Sequence, residues 1–494
     1  MATVSDPPPT TTGTARPAPG THRLRGSLGP ASIVLMVVAA AAPLTVVAGS
    51  FPIGIAAGNG PGYPAMYVVA GVVLAFFAVG FTAMTRHVPN AGAFYSYIGT
   101  GLGRGAGLGS ALVALISYLT VQGAVYGYVG FLLDDLVTGY GGPDLPWWLW
   151  TAAVLAVTGV LGYRHIELSS KVLGVLLVAE VGIVLVLDVA VIGRGGGDEG
   201  LSSALVTPGD VLSGAPGIGL MFAIAGFIGF EATAIFRDEA RDPERTIPIA
   251  TYTALAIITV FYTVSAWVVV SAWGDSRIVE ASAADPGGIV VATAQQYVGT
   301  IAADVMQVLF VTSLFAAILA FHNVTSRYFF SLGNTGVLPA FCGRSHARHA
   351  SPHLASLLTS GVGAAIMAVC VIAGLDPVLE IFTWLAGIAS VGIVVLMLLA
   401  CLAVLVFFRR TGVDRRPWQT LVAPSLGLLG LAAILVLLVE NLPLLMGGST
   451  VLGVGAGVLL AVALAAGWVL AKARPQAARA LTTASPTTDA APQI

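Results

Sequence analysis

Charge is scarce in this sequence. Only 9% of its 494 residues are Asp, Glu, Lys or Arg, whereas a soluble domain carries about 25%. Runs such as Ile381 to Phe408 and Leu426 to Val439 contain no charged side chain. A soluble enzyme of this length needs charged helix faces, so the scarcity excludes that class and indicates helices in a lipid bilayer.

Cysteine and nucleotide-binding motifs are scarce too. The three cysteines, Cys342, Cys370 and Cys401, lie far apart without a CxxC spacing, so we expect neither a disulfide framework nor a metal site. No Walker-type Gly-x-x-x-x-Gly-Lys-Ser/Thr sequence occurs, and no cofactor is expected. Since no nucleophile, acid/base or metal-ligand cluster is evident, the chain is not expected to be an enzyme. Its net charge of −2 gives no reason to expect nucleic acid as a partner.

Apolar runs dominate what is present. Runs of about 20 residues predict an all-α membrane protein with about 12 transmembrane helices. Their ranges are 30–57, 64–85, 93–135, 147–163, 168–193, 215–236, 248–272, 300–332, 353–374, 378–408, 418–440 and 449–471. The Pro-, Thr- and Ala-rich ends, residues 1–27 and 473–494, are predicted to be disordered cytoplasmic tails.

The basic residues predict the orientation. If both termini are cytoplasmic, 19 of the 22 basic residues fall in inner segments, Arg104 lies near the inner start of the third span, and only Arg194 and Arg277 fall outside. Lys and Arg are retained on the cytoplasmic side of short loops. The sequence therefore predicts a multi-pass protein of the cytoplasmic membrane with both termini inside.

Two spans contain interrupted helical patterns. The first includes Pro43, Gly49 and Pro52, and the sixth includes Gly226 and Gly229 just before Glu231. Freed backbone groups in lipid are tolerable where they are buried or line a wet cavity, so each interruption marks either a binding site or a simple kink. Close helix packing is a second explanation for the glycines.

Three motifs resemble the amino acid–polyamine–organocation permeases. The sixth span continues from Gly229-Phe-Glu231 into a charged loop ending Pro243-Glu-Arg-Thr-Ile-Pro248. The other two motifs are Pro89-Asn-Ala-Gly92-Ala-Phe-Tyr95 before the third span and Ser326-Arg-Tyr328 with Gly336-Val-Leu-Pro339 after the eighth. Their order and positions identify the chain as a member of this superfamily, of the bacterial amino acid permease type.

The resemblance implies a fold and a binding site. It implies a ten-helix core over 28–408, made of two inverted five-helix repeats, 28–195 and 213–408, with broken first and sixth helices; residues 409–472 add two helices. The substrate's carboxylate and amine are expected to meet backbone at these two breaks. The implied binding residues are Thr45, Val46, Val47, Ala48, Gly49, Ala225, Gly226, Phe227, Ile228 and Gly229. The family's usual Gly-Ser-Gly is replaced here by Thr45-Val46-Val47.

Ionisable residues inside spans are costly, about 2.5–3.5 kcal/mol each, and indicate function. Glu180 lies near the middle of the fifth span, where burial favours its neutral form, and it is a candidate for proton coupling or for a structural carboxyl. Glu231 is a second candidate, either for proton exchange or for stabilising the broken sixth helix. Asp188 and Asp304 are expected nearer the outer surface, facing an aqueous vestibule.

The sequence thus predicts a secondary active transporter of amino acids, coupled to protons and working by alternating access. An amino acid or polyamine exchanger and a sodium symporter stay open. The segment His322-Asn323-Val-Thr325-Ser326 of the eighth span supplies hydroxyl and amide oxygens that could hold sodium or only join helices. A transporter-like membrane sensor is the remaining alternative from another class.

Overall fold

Almost every described segment of the chain is helical. The computed structural model describes residues 29–88, 93–164, 170–231, 233, 240–344 and 352–475. The first segment contains α1 (Pro30–Ala40) and, after an interruption, the consecutive helical stretches Thr45–Ser50, Phe51–Ile53 and Gly54–Asn59, together called α2. The remaining helices are α3 (Pro64–Thr85), α4 (Ala93–Leu102), α5 (Arg104–Gly139), α6 (Trp147–Tyr163), α7 (Ser170–Gly193), α8 (Pro208–Val211), α9 (Pro216–Ala225), α10 (Pro243–Trp273), α11 (Ile278–Ala284), α12 (Ile289–Tyr297), α13 (Thr300–Asn334), α14 (His353–Ile372), α15 (Pro377–Phe382 with Thr383–Thr411), α16 (Trp418–Val422 with Ala423–Leu445) and α17 (Thr450–Ala473).

Nine helices of the described residues are long and apolar enough to cross a bilayer, and three apolar helices are shorter. The nine are α3, α5, α7, α10 and α13 to α17; the three are α1, α6 and α9. Their positions follow the predicted spans. Two of the three short helices, α1 and α9, are the first parts of the spans whose sequence patterns are interrupted.

The predicted third span differs from the structure. The sequence pattern predicts one helix over 93–135, whereas the structure has α4 and α5 separated at Gly103. Gly103 has a φ of 97°, in the region that favours glycine, and this turns the chain between the two helices. At 36 residues, α5 is about 54 Å long, which exceeds the roughly 30 Å hydrocarbon thickness.

The long helix α5 lies at the centre of the bundle. It packs against α4, α6, α13, α15 and α17. In its most apolar stretch of 18 residues, 83% is buried. The outer helices are less buried. In α17, only 22% of the most apolar stretch is buried. A buried scaffold surrounded by lipid-facing helices therefore holds the interrupted segments.

Helices α1 and α2 lie between α7, α10 and α13. Both α1 and α7 pack against α10, and α13 contacts α1, α2 and α7. Helix α9 packs against the far end of α2, where the Ala215 amide donates to the Gly58 carbonyl at 2.9 Å. This arrangement brings the two interrupted segments together.

Candidate substrate and coupling site

The first interruption lies at Ala41 and Ala42. Helix α1 ends at Ala40, and Ala42 has a φ of 46°, which is uncommon for a residue with a side chain. Helical conformation resumes at Pro43, and proline suits the first position of a helix because the amide it lacks would have no intrahelical acceptor. The next amides, those of Leu44 and Thr45, therefore begin the second half-helix.

Side chains from two other helices bind these amides. The Leu44 amide donates to Glu180 Oε2 at 3.4 Å, and the Thr45 amide donates to Ser313 Oγ at 3.3 Å. Ser313 Oγ in turn donates to Glu180 Oε2 at 2.8 Å, and Thr45 Oγ1 lies 3.0 Å from Ser313 Oγ. Glu180 is only 4% exposed. A carboxyl of α7 and a hydroxyl of α13 thus cap the amide end of the broken first helix.

On the other side of the interruption, the Tyr262 hydroxyl of α10 donates to the Ala41 carbonyl at 3.3 Å. Tyr262 is 1% exposed, and its ring lies 6.1 Å from that of Phe51. Helices α7, α10 and α13 therefore each provide a polar side chain to the break. These contacts satisfy backbone groups that would otherwise be unpaired in an apolar environment.

The predicted substrate-binding segment Thr45 to Gly49 begins three residues after Ala42 and belongs to α2. Its five residues are buried. The Ala48 carbonyl accepts a hydrogen bond from the Tyr128 hydroxyl at 3.3 Å, and Gly49 faces the rings of Tyr128 and Phe310. The unwound backbone therefore lies before Thr45. The predicted binding residues form part of the π-helical stretch that follows it, Thr45–Ser50.

The second interruption follows α9. Helix α9 ends at Ala225, and Gly226, Phe227 and Ile228 form turns. Gly229 has a φ of 110°, a conformation that residues with a side chain rarely adopt. All five predicted residues, Ala225 to Gly229, therefore lie at the end of α9 or in the unwound segment.

A second buried carboxyl stabilises this interruption. Glu231 is 3% exposed, and its Oε2 accepts the Gly229 amide at 2.9 Å. Its Oε1 accepts the Tyr118 hydroxyl of α5, also at 2.9 Å. Glu231 therefore binds both the unwound backbone after α9 and the central helix α5.

The two interruptions meet. A Cβ placed on Gly226 would lie 3.0 Å from Val46 Cγ1 and 3.3 Å from the ring of Tyr262. The ring of Tyr67 lies 5.3 Å from that of Tyr262 and 6.2 Å from that of Phe227. Apolar and aromatic side chains thus surround the backbone groups of both breaks, as is typical of a small-molecule site with few polar groups.

Among the described residues, the site contains acidic side chains and no basic side chain paired with them. The ion pairs in the described part of the chain, Arg277–Asp198 and Arg416–Asp414, involve loop residues. Among the described residues, no Lys, Arg or His nitrogen lies within 4 Å of a Glu180 or Glu231 oxygen. An unpaired buried charge is costly, so each carboxyl must be protonated, be solvated, or meet a cation from outside the chain.

Among the described residues, the four sodium candidates of the eighth span form no hydrogen bond to the first span. His322 Nε2 lies 2.9 Å from Ser356 Oγ, and Ser326 Oγ lies 3.1 Å from Thr359 Oγ1, both on α14. Ser313, nine residues before His322, makes the contact with the first helix instead. Within the described residues there is also no group of three or more His, Cys, Asp or Glu side chains that could hold a metal ion.

Some predicted features cannot be compared. The stretches Pro89 to Gly92 and Arg237 to Glu239 of the sequence motifs lie outside the described residues, as do most of the predicted tails. Asp188 does not face a vestibule in this structure, contrary to the prediction, because its side chain is 3% exposed and its Oδ2 accepts the Ser265 hydroxyl at 2.8 Å. Asp188 faces α10 within the bundle, whereas Asp304 is partly exposed.

The sequence profile of the family Amino acid permease matches residues 32–471. The chain belongs to this family. Its membership agrees with the apolar helices and confirms the predicted amino acid–polyamine–organocation resemblance. The chain is therefore an integral membrane permease that transports amino acids or related amines, rather than an enzyme.

Several relatives are about a quarter identical to this permease over the aligned residues. The branched-chain amino acid permease BcaP of Lactococcus lactis is 24% identical over 75% of this chain and 81% of its own length. The histidine permease HisP of the same organism is 26% identical over 60% of this chain and 62% of its own length. The low-affinity putrescine importer PlaP of Escherichia coli is 24% identical over 70% of this chain and 75% of its own length.

Sequence reasoning missed several residues of the permease's site. Ser313, Tyr262 and Tyr118 bind the breaks or their carboxyls, but serine and tyrosine are common in membrane helices and carry no signal alone. Leu44 is missed because only its amide takes part. Pro43, already part of the interrupted sequence pattern, is the signal that indicates where the second half-helix begins.

Proposed function

We propose that this permease imports amino acids together with protons by alternating access. The proposal includes twelve transmembrane spans, the inverted five-helix repeats and cytoplasmic termini. The observation that carries the coupling is the Glu180 carboxyl, which is buried at the first-helix break, binds the Leu44 amide at 3.4 Å and has no basic partner among the described residues.

The break offers groups for the two ends of an amino acid. Amides at the start of a half-helix attract a carboxylate, because they lack backbone partners and carry partial positive charge. Such amides are provided by Leu44, just before α2, and by Thr45, its first residue. The end of α9, around Ala225 to Ile228, provides carbonyl oxygens, which suit an ammonium group. Val46 and Phe227 then form the apolar walls.

Competition for the same amides explains the coupling. A charged Glu180 holds the Leu44 amide, and a substrate carboxylate beside it would repel it. A proton on Glu180 removes that charge and weakens its hold on the amide. Substrate and proton therefore favour each other's binding, which is the requirement for symport.

The walls of the site favour a neutral, apolar amino acid. Val46, Phe227 and Ile228 are buried, and Tyr67 and Tyr262 contribute aromatic faces. These groups suit an apolar side chain. The similarity to the branched-chain amino acid permease BcaP supports the same substrate class.

A monoamine or polyamine is the second candidate. Glu180 and Glu231 are buried carboxyls without basic partners among the described residues, so an ammonium group could balance a carboxylate directly. The ring of Tyr262, whose hydroxyl binds the same break, also attracts cations. The similarity to the putrescine importer PlaP supports this alternative, which includes exchange of one amine for another.

Uptake into proteoliposomes tests these proposals. The full chain is reconstituted and given labelled leucine, histidine or putrescine, with and without an inward proton gradient, and with or without sodium. Leucine uptake stimulated by the proton gradient is expected. Uptake only into vesicles preloaded with substrate would identify an exchanger, and stimulation by sodium alone would replace the proton as coupling ion. Selective uptake of putrescine would favour the amine transporter.

A further inference from the structure

Helix α7 carries a second buried carboxyl that the proposed coupling step does not use. Asp188 lies eight residues after Glu180, which is about 12 Å further along the helix. Its exposed fraction of 3% is close to the 4% of Glu180. In the predicted topology α7 runs from the inner to the outer face, so Asp188 lies on the outer side of Glu180.

The hydrogen bonds of Asp188 are incomplete. Oδ2 accepts the Ser265 hydroxyl of α10 at 2.8 Å. Oδ1 is buried and has no hydrogen-bond partner among the described residues. Both oxygens of a buried carboxylate normally accept hydrogen bonds, because a buried acceptor without a donor destabilises the folded protein. A carboxylate that is 97% buried with one unpartnered oxygen is costlier than the neutral carboxylic acid, and this points to a proton held by Asp188.

The helices around Asp188 provide no compensating cation. Its helix packs against α1, α10, α12 and α13. Helix α1 has no ionisable residue, α12 has only Tyr297, the part of α10 beyond its first turn has Tyr252 and Tyr262, and the outer half of α13 has only Asp304. Among the described residues, no Lys, Arg or His nitrogen lies within 4 Å of Asp188. A proton is thus the available source of neutrality.

We propose that Asp188 is a second proton-binding site, which takes protons from the outer side before Glu180 receives them. This inference rests on the proton coupling proposed above. The carboxylate of Asp188 binds a proton from external water as the carboxylic acid forms, and it releases that proton to the carboxylate of Glu180. Ser265 and Tyr262 lie one turn apart on the facing helix, where their hydroxyls bind Asp188 and the first-helix break.

The separation of the two carboxyls makes the order of events specific. The two residues lie about 12 Å apart along α7 and no hydrogen bond joins their carboxyls among the described residues, so a proton passes between them through water that enters when the outer side opens. Asp188 would load first and Glu180 second. Loss of the outer carboxyl should therefore impair uptake driven from outside more than exchange at equal pH.

Asp188→Asn in the full-length protein tests the inference, with Glu180→Gln as the reference and Asp304→Asn as the matched control. Asp304 is an aspartate in the outer half of a neighbouring helix, α13. Leucine and putrescine uptake are measured in proteoliposomes under an inward proton gradient, and exchange is measured at equal pH. We expect Asp188→Asn to reduce gradient-driven accumulation about tenfold, to retain exchange, and to differ from Asp304→Asn.

Ser265→Ala provides a second test if the asparagine variant does not fold. The serine hydroxyl favours the charged form of Asp188, so its removal should move the external pH of half-maximal uptake upward by about one unit. Wild-type accumulation in Asp188→Asn, or an unmoved pH profile in Ser265→Ala, would overturn the inference while leaving coupling through Glu180 intact. Wild-type uptake that ignores the proton gradient would instead overturn the proposed function itself.

Discussion

The Oε2 atom of Glu180 lies 3.4 Å from the amide nitrogen of Leu44, although the two residues are 136 positions apart in the chain. The contact places an internal carboxyl at the half-helix end that suits a substrate carboxylate. Glu180 thus lies where protonation and substrate binding can influence each other. This geometry connects the fold of the permease with the proposed coupling.

Replacing Glu180 by glutamine separates coupling from binding. The amide oxygen of Gln can still accept the Leu44 hydrogen bond, but the side chain cannot take up a proton. We expect gradient-driven accumulation to fall about tenfold or more, equivalent to at least ~1.4 kcal/mol, while exchange at equal pH persists. Labelled-leucine uptake and counterflow measure the two activities. Unchanged accumulation would remove Glu180 from the coupling role.

Ser313→Ala tests how the break is supported. Ser313 Oγ donates to Glu180 and accepts the Thr45 amide and hydroxyl, so alanine leaves three buried polar groups with fewer partners. We expect substrate affinity to weaken roughly fivefold, corresponding to about 1 kcal/mol for a lost hydrogen bond. Thr312→Ala is the matched control, because among the described residues the Thr312 hydroxyl bonds within its own helix, to the Leu309 carbonyl at 2.9 Å. Equal affinities in the two variants would contradict the role of Ser313.

Much of the architecture was predictable because lipid imposes a simple pattern. Apolar runs and the prolines and glycines within them indicated both the helices and the interruptions. The contacts between helices were not predictable, since helix rotation depends on packing along the whole bundle. Glu180 could be identified as buried, whereas its bond to Leu44 and the role of Ser313 required the fold.

The position of the first break shows a second limit. The sequence drew attention to Thr45 through Gly49, but the unwound residues are Ala41 and Ala42. Alanine is a strong helix former, so Ala41 and Ala42 themselves give no sign of a break, and Pro43 after them is the local signal. Tertiary contacts from Tyr262 and Glu180 stabilise it instead, and Ala42 adopts a positive φ as a result.

Gly229→Ala tests the second break. Alanine must adopt the φ of 110° found at this position or change the turn, at about 1–3 kcal/mol. We expect a lower thermal unfolding midpoint in detergent and weaker substrate binding. Gly174→Ala is the control, because a methyl group there would meet no atom within 4 Å and the residue lies inside α7. Similar unfolding midpoints for the two variants would show that the turn at Gly229 tolerates a side chain.

The Asp414–Arg416 ion pair should contribute no pH dependence to stability or uptake between about pH 5 and 8. Hydrogen bonds from Arg416 lower the pKa of Asp414 from 3.8 to about 2. A lowered carboxyl pKa stabilises the folded state above the unfolded value and loses that effect as the pH falls through the folded value. Between about pH 5 and 8 Asp414 is charged in both states, so its contribution is constant.

Asp414→Asn should therefore lower the unfolding midpoint slightly at every pH from 5 to 8, since exposed ion pairs contribute about 0–1 kcal/mol. The pH profiles of stability and uptake should keep their shapes over that range. Parallel melting curves in detergent and uptake assays at stepped pH measure both. A changed slope in this range would contradict the assignment of pH dependence to the carboxyls of the bundle.

Glu231 and Tyr118 allow structure and coupling to be distinguished at the sixth-segment break. Glu231 accepts both the Tyr118 hydroxyl and the Gly229 amide, which is the arrangement expected of a structural carboxyl. We expect Glu231→Gln and Tyr118→Phe each to reduce stability by about 1–3 kcal/mol, and the double variant to lose less than their sum. Thermal unfolding of all four proteins gives the interaction energy. Gradient-driven uptake by Glu231→Gln then decides the role of Glu231. If the folded variant still accumulates substrate, Glu231 supports the break and does not carry the coupled proton, because glutamine cannot take up a proton.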